Sequence, residues 1–321
     1  MPADPRAGRA RQSAEAVLLV RPAAFAYNLA TASSNSFQQS KQSTGIAARA
    51  AAEFDAAAAA IAAAGVTVCI AEDSPEPLKP DAVFPNNWIS WHRDGSVVLY
   101  PMLAINRRAE RRADLIALVE QQTGFRRQRL LDLSRYEREG HFLEGTGSLV
   151  LDHERRLAFA CRSARTDESL VIEWARLMDY EPVVFDAHTE QGAPIYHTNV
   201  MLAIGSRWIV VCAEALAPAD RARVLARLAD ECREVIQISH RAMHAFGANI
   251  LELMAGTPQA RSSSVLVMSQ TAATALRAER DCWDRLTGSV GRVLVLAVPT
   301  IEQIGGGGVR CMLAEVPTIA A

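Results

Sequence analysis

The chain has 321 residues, of which 50% are hydrophobic and 22% charged, and its formal net charge is -2 at pH 7. That length can bury a substantial core in one large domain or two ordinary ones, and the balance of apolar and charged residues excludes a disordered chain. The near-neutral charge gives no basic footprint for nucleic acid, and no apolar run approaches the roughly 18 residues that would span a bilayer.

Residues 1–14 are polar and Arg-bearing, with no signal-type apolar segment behind them, so they read as a frayed tail ahead of a single domain over residues 15–321. From Ala16 onward, short apolar runs alternate with polar or Gly/Pro punctuation and helical stretches. Strands are expected at residues 17–20, 66–70, 97–100, 148–151, 157–160, 183–185, 200–204, 208–211, 235–238, 250–254, 264–268, 293–297 and 312–316. Helices are expected at 47–63, 107–123, 168–178, 219–232 and 272–286, several bounded by Gly65, Gly124, Asp167, Pro218 or Gly288. Five helices, each with two or three strands and no linker between units, imply repetition of one α/β unit. A doubly wound nucleotide-binding sheet is the rival, but its glycine loop should join a strand to a helix. The glycine cluster here, Gly305 to Gly308, leads instead to Val309, Arg310, Cys311 and a closing apolar run.

Six cysteines (Cys69, Cys161, Cys212, Cys232, Cys282 and Cys311) are scattered, with no CxxC pair and no Cys/His cluster at zinc-ligand spacing. They read as reduced thiols of a cytoplasmic protein, and neither a metal nor an organic cofactor is implied. Five sit in or beside regular apolar runs and read as small buried hydrophobes. Cys311 differs, because the glycines before it permit unusual backbone and leave space beside a side chain, as a nucleophile needs.

His197 stands in Ile195-Tyr196-His197-Thr198-Asn199, at the mouth of an expected strand. By residue alone it is either a catalytic base or a hydrogen-bonded bystander. Glu144, in Phe142-Leu143-Glu144-Gly145-Thr146-Gly147, is either a turn acid or a carboxylate that orients a histidine. The segment Asp81-Ala82-Val83-Phe84-Pro85-Asn86-Asn87-Trp88 places an acid and two amides around an apolar pair, and consecutive asparagines also suit a plain turn.

Taken in order, Asp81 to Phe84, Glu144-Gly145-Thr146-Gly147, Ser163-Ala164-Arg165-Thr166, His197-Thr198-Asn199 and the Gly-rich segment before Cys311 resemble the penteins, which include arginine deiminases, dimethylarginine dimethylaminohydrolases and amidinotransferases. Val20-Arg21-Pro22, Asn28, Asn35, Phe84-Pro85-Asn86-Asn87-Trp88 and Gly308-Val309-Arg310-Cys311-Met312 look closest to the citrulline-utilisation hydrolases of that group. The resemblance implies a five-bladed α/β propeller of ββαβ units with the site on its axis. It implies Cys311 as nucleophile, His197 as general acid and base, and Glu144 as the histidine's partner. Asp81 is then the ligand for a substrate ammonium and Arg165 for its carboxylate, with Phe84, Asn86, Asn87 and Asn199 lining the rest, so the partner is a free amino acid.

Guanidine-processing penteins typically carry carboxylates where this chain has Asn86 or Asn87 and Asn199. Amides suit a neutral ureido group better than a guanidinium, whose burial without paired carboxylates strands a charge. Citrulline is therefore the expected substrate, hydrolysed through a Cys311 thiolate that a nearby imidazolium stabilises. Tyr100 stands where related dimethylarginine enzymes carry a second Arg. Arginine deiminase or dimethylarginine hydrolase activity, an amidinotransferase, and a non-catalytic amino-acid-binding protein are the alternatives, and a homo-oligomer is allowed.

Overall fold

The structure is a computed structural model and describes residues 11–40, 44–256 and 263–318. In chain order the strands are β1 (Ala16–Arg21), β2 (Thr67–Glu72), β3 (Ile89–Trp91), β4 (Ser96–Leu99) and β5 (Arg129–Asp132). There follow β6 (Val150–Asp152), β7 (Leu157–Cys161), β8 (Glu181–Phe185), β9 (Leu202–Ile204) and β10 (Trp208–Val211). The last are β11 (Glu234–Gln237), β12 (Leu251–Met254), β13 (Ser264–Ser269), β14 (Arg292–Leu296) and β15 (Ala314–Val316).

These strands form five three-stranded sheets among the described residues. In four of them an antiparallel hairpin is followed by a helix and a third strand parallel to the hairpin's second: β3-β4-β5, β6-β7-β8, β9-β10-β11 and β12-β13-β14. A parallel return needs such a crossover. The fifth sheet joins distant parts of the sequence: β15 runs antiparallel to β1, Ala16 opposite Val316, and β1 runs parallel to β2 across the helix Ile46–Ala63. The architecture is the ββαβ pentein propeller.

The helices cover the blades by patterned burial. Ile46–Ala63 presents Ala50, Phe54, Ala57, Ala58 and Ile61 inward, a stripe at helical spacing. Glu168–Met178 starts where the Asp167 side chain accepts from the Ser169 and Leu170 amides. Two expected helices divide. Residues 107–123 become a 3-10 turn, Ile105–Glu110, and a helix, Asp114–Thr123, because Arg111 is extended between them. Residues 272–286 become Gln270–Ala278 and Arg280–Gly288, broken at Glu279.

Three expected strands start late, because residues 148, 200 and 312 fall in a short helical turn that precedes the strand. Two strands fall outside the expected ranges: β3, only three residues long, and β5, an exposed edge strand, Arg-Leu-Leu-Asp, with no apolar alternation to reveal it. Of the segment read as a tail, residues 1–10 lie outside the described residues. Gln12, Ser13 and Ala14 are buried: Gln12 Nε2 donates to Leu151 O at 2.8 Å and Ile204 O at 3.3 Å, so fraying does not extend to them.

Arg233 fastens the third and fourth units. Its side chain is fully buried, with Nη1 2.7 Å from Asp152 and 2.9 Å from Asp230, and Nη2 3.0 Å from Glu154. Removing the cation takes away its contacts to all three carboxylates, although Asp152 keeps Arg155 Nε at 2.6 Å, so Arg233→Ala is expected to cost about 3 kcal/mol, the lower end for a broken buried pair, in urea unfolding. A loss below about 1 kcal/mol would show that the cluster is screened as an exposed pair is.

Candidate active site

Each unit enters its first strand through a tight turn, and those turns carry the chemistry. Two or three residues before the strand stand Asn87, Gly147, Asn199, Asn249 and Cys311. At Gly147 a Cβ would come within 2.6 Å of Asn87 Nδ2 and 2.7 Å of His197 Nδ1, so the missing side chain makes room for both.

A small cavity is lined by Asp81, Phe84, Asn87, Arg165, His197 and Cys311 together with Asn35, Arg107, Tyr196 and the glycines 305–307. The fold thus gathers six of the nine expected site residues around one space. Glu144 lies behind His197, Asn199 touches Cys311 from the side, and Asn86 sits next to Asn87, whose Nδ2 donates to its Oδ1 at 3.2 Å. The glycine run does what its position suggested. Gly306 has φ 65°, and a Cβ at Gly305 would press on the Phe84 ring at 2.8 Å.

Glu144 is fully buried and makes three contacts: Oε2 is 3.0 Å from His197 Nε2 and 3.3 Å from Arg165 Nη1, and Oε1 accepts from the Leu103 amide at 3.1 Å. Burial alone would raise its pKa, but the Arg165 charge, the His197 hydrogen bond and the more distant Arg107 outweigh it and hold Glu144 at about 2. An ionised Glu144 can only accept, so His197 carries its proton on Nε2 and its Nδ1 lone pair is left for proton transfer.

Burial also governs the other two groups. It takes His197 down to about 4 against the pull of Glu144, and it raises the Cys311 thiol, with Asn249 and Asn199 opposing as hydrogen-bond donors. At neutral pH the pair is therefore thiol and neutral imidazole. The expected imidazolium beside a thiolate is not what this geometry gives, because both groups are too well shielded from water to carry charge cheaply.

Cys311 Sγ lies 3.2 Å from Asn249 Nδ2 and 3.7 Å from Asn199 Nδ2. Asn249 is absent from the expected site, although Asn249-Ile250-Leu251 echoes Asn199-Val200-Met201 at the equivalent turn. Arg107 is absent from it too, one of four arginines between residues 107 and 112 at the start of an expected helix. It is buried, pairs with Glu110 through two 2.9 Å bonds and donates to Asn87 Oδ1 at 2.9 Å. Tyr100 lies outside the cavity, its hydroxyl between Ser90 and Trp174, and Arg107 supplies the second guanidinium instead. Asp81 is held by Asn28 Nδ2 at 2.8 Å, while its Oδ1 is buried with no hydrogen-bond partner among the described residues. Arg165 donates to Ser34 Oγ at 2.8 Å and Thr31 O at 3.2 Å, and its guanidinium lies over the Tyr196 ring at 5.1 Å.

A five-bladed ββαβ propeller with a Cys, a His backed by a Glu, and buried Asp and Arg side chains around one cavity defines a pentein. The sequence profile of the family described as N,N dimethylarginine dimethylhydrolase, eukaryotic, matches residues 21–318, and the chain belongs to that family. Among solved structures it is similar to the N-terminal domain of ArgZ, an arginine dihydrolase from the ornithine-ammonia cycle in Cyanobacteria, with 16% identity and a TM-score of 0.72 over 95% of this chain and 98% of that one. Similarity extends to a cysteine-to-alanine mutant of AgrE in binary complex with L-arginine (18% identity, TM-score 0.71), where 95% of this chain matches 40% of that longer one. A dimethylarginine dimethylaminohydrolase shares 14% identity with a TM-score of 0.62 over 94% of this chain and 100% of that one. No curated protein sequence matches the chain.

The protonation states can be checked by alkylating Cys311 with iodoacetamide over a pH series and reading the labelled peptide by mass spectrometry. The apparent midpoint is expected above the about 8.5 of an ordinary thiol, and Asn249→Ala should move it higher still by removing a donor to the thiolate. A midpoint near neutrality would show a preformed thiolate.

Proposed function

We propose that the protein is a cysteine-dependent hydrolase that cleaves the ureido C–N bond of citrulline or a close relative. The observation that supports this best is the environment of Cys311 Sγ: its two side-chain neighbours are the neutral amides of Asn199 and Asn249, and the cavity wall adds the amide of Asn87. Amides donate to a carbonyl oxygen and accept from N–H groups, the complements a ureido group needs, and Asn199 Oδ1 is buried with no hydrogen-bond partner among the described residues. The partnerless Asp81 Oδ1 suits an α-ammonium, and the Arg165 and Arg107 guanidiniums on the same cavity suit an α-carboxylate.

With substrate bound, His197 Nδ1 takes the Cys311 proton and the sulfur attacks the ureido carbon. The imidazolium, steadied by Glu144, protonates the departing nitrogen. Water deprotonated by His197 then releases the carbamoyl group from sulfur as a carbamate, which breaks its remaining C–N bond as it loses carbon dioxide, so that citrulline and water give ornithine, ammonia and carbon dioxide. The six free cysteines agree with a reducing, cytoplasmic setting, and no helix among the described residues is long and apolar enough to cross a membrane.

A guanidine substrate is the second reading, favoured by the family's description and by the arginine named for the similar structures. Purified protein is given citrulline or arginine in parallel, with ammonia and ornithine measured and Cys311→Ser as the blank. Citrulline turnover lost in the variant is the expected result. Arginine turnover alone would favour the guanidine reading, and activity requiring an added amine would indicate amidino transfer. Binding that survives Cys311→Ala without any turnover would leave a binding protein.

Charge matching has its own test. Asn87→Asp combined with Asn199→Asp places carboxylates at the reacting end and should shift the citrulline-to-arginine ratio of kcat/KM toward arginine by about tenfold or more, whatever happens to the absolute rates. An unchanged ratio would overturn the argument from the amides.

A further inference from the structure

Away from this cavity, three side chains from two segments converge. Cys212 and Glu214 lie at the short turn Ala213–Ala215 that follows β10, and His240 opens the helix His240–His244 that follows β11. β10 and β11 are parallel, Val211 opposite Gln237, so both segments leave the same end of one sheet. One ligand atom from each of Cys212, Glu214 and His240 lies within 4.8 Å of the others.

The trio is not a surface cluster of acids. Cys212 is wholly buried, Glu214 is exposed, and His240 Nδ1 is buried with no hydrogen-bond partner among the described residues. A buried ring nitrogen without a partner is costly, which points to an interaction the polypeptide does not itself supply. Glu279 stands alongside and accepts from both the amide and the hydroxyl of Ser239, the residue before His240, so it adds negative potential.

We infer that Cys212, Glu214 and His240 form a site for a divalent transition-metal ion. Thiolate, imidazole and carboxylate together suit zinc in a tetrahedral arrangement, with the fourth position open to water on the Glu214 side. Magnesium and calcium, which take oxygen ligands, do not suit a thiol. Binding requires Cys212 to give its proton to solvent. No spacing signature reveals the site, because His240 comes from a different element than Cys212 and Glu214.

The ion would join two segments that connect to the amides beside Cys311. The Cys212 amide donates to Met201 O, two residues beyond Asn199, and the helix begun by His240 leads through Phe246 to Asn249. Clamping them would fix both amides on the nucleophile, a positioning role.

The test uses the full chain carrying Cys311→Ser, which removes the active-site thiol as a competing ligand. After treatment with chelator it is titrated calorimetrically with zinc chloride, with magnesium chloride as control, and its absorbance is recorded with cobalt. One equivalent of zinc, no magnesium, and a thiolate-to-cobalt charge-transfer band are expected. Adding His240→Ala or Cys212→Ser should weaken zinc binding about tenfold or more, and Cys212→Ser should abolish the cobalt band. His240 is partly exposed, so His240→Ala, with its fold checked by circular dichroism, decides the matter even if Cys212→Ser fails to fold. Absence of zinc binding in the Cys311→Ser protein, or binding unchanged by His240→Ala, would overturn the inference.

Discussion

Glu144 is a carboxylate with no access to water, and the site is organised around keeping it ionised. A buried anion without partners costs several kcal/mol, so His197, Arg165 and the Leu103 amide are held where they are by the same group. That shared dependence couples the state of His197 to the placing of Arg165. The guanidinium that opposes the cost of burying Glu144 thereby also fixes the histidine tautomer, so neither side chain can be changed without disturbing the other.

The fivefold unit shows how one scaffold position is put to different uses. Asn87, Gly147, Asn199, Asn249 and Cys311 each precede the first strand of a blade. Three are amides, one is a thiol, and one has no side chain and leaves space for its neighbours. His197 and Glu144 come from the same turns, two positions ahead of Asn199 and three ahead of Gly147. Approximate symmetry therefore supplies convergence on the axis, and departures from it supply the chemistry.

Much of this is readable from the residues. Helix periodicity and caps give the five repeats, and the family resemblance of the turn motifs points to Cys311, His197, Glu144, Asp81 and Arg165, which the fold brings to or beside one cavity. The errors share a cause: apolar runs extend through the short helical turns at residues 148, 200 and 312, so strands are drawn too long where the site residues bend away. Arg107 is invisible in the sequence because burial is a tertiary property, and nothing there distinguishes it from its neighbours Arg108, Arg111 and Arg112. Protonation escapes for the same reason. The resemblance implies that Cys311 and His197 work together, but the burial that pushes both toward their uncharged forms is a tertiary property the sequence does not show.

The closing sheet ties β15 to β1, and Cys311 lies three residues before β15. The other four sheets are each built from consecutive sequence, and the turns that hold Glu144, Arg165 and His197 belong to them. Cys311 instead leads into the strand that pairs with β1, so the cavity is complete only where distant parts of the sequence are held side by side.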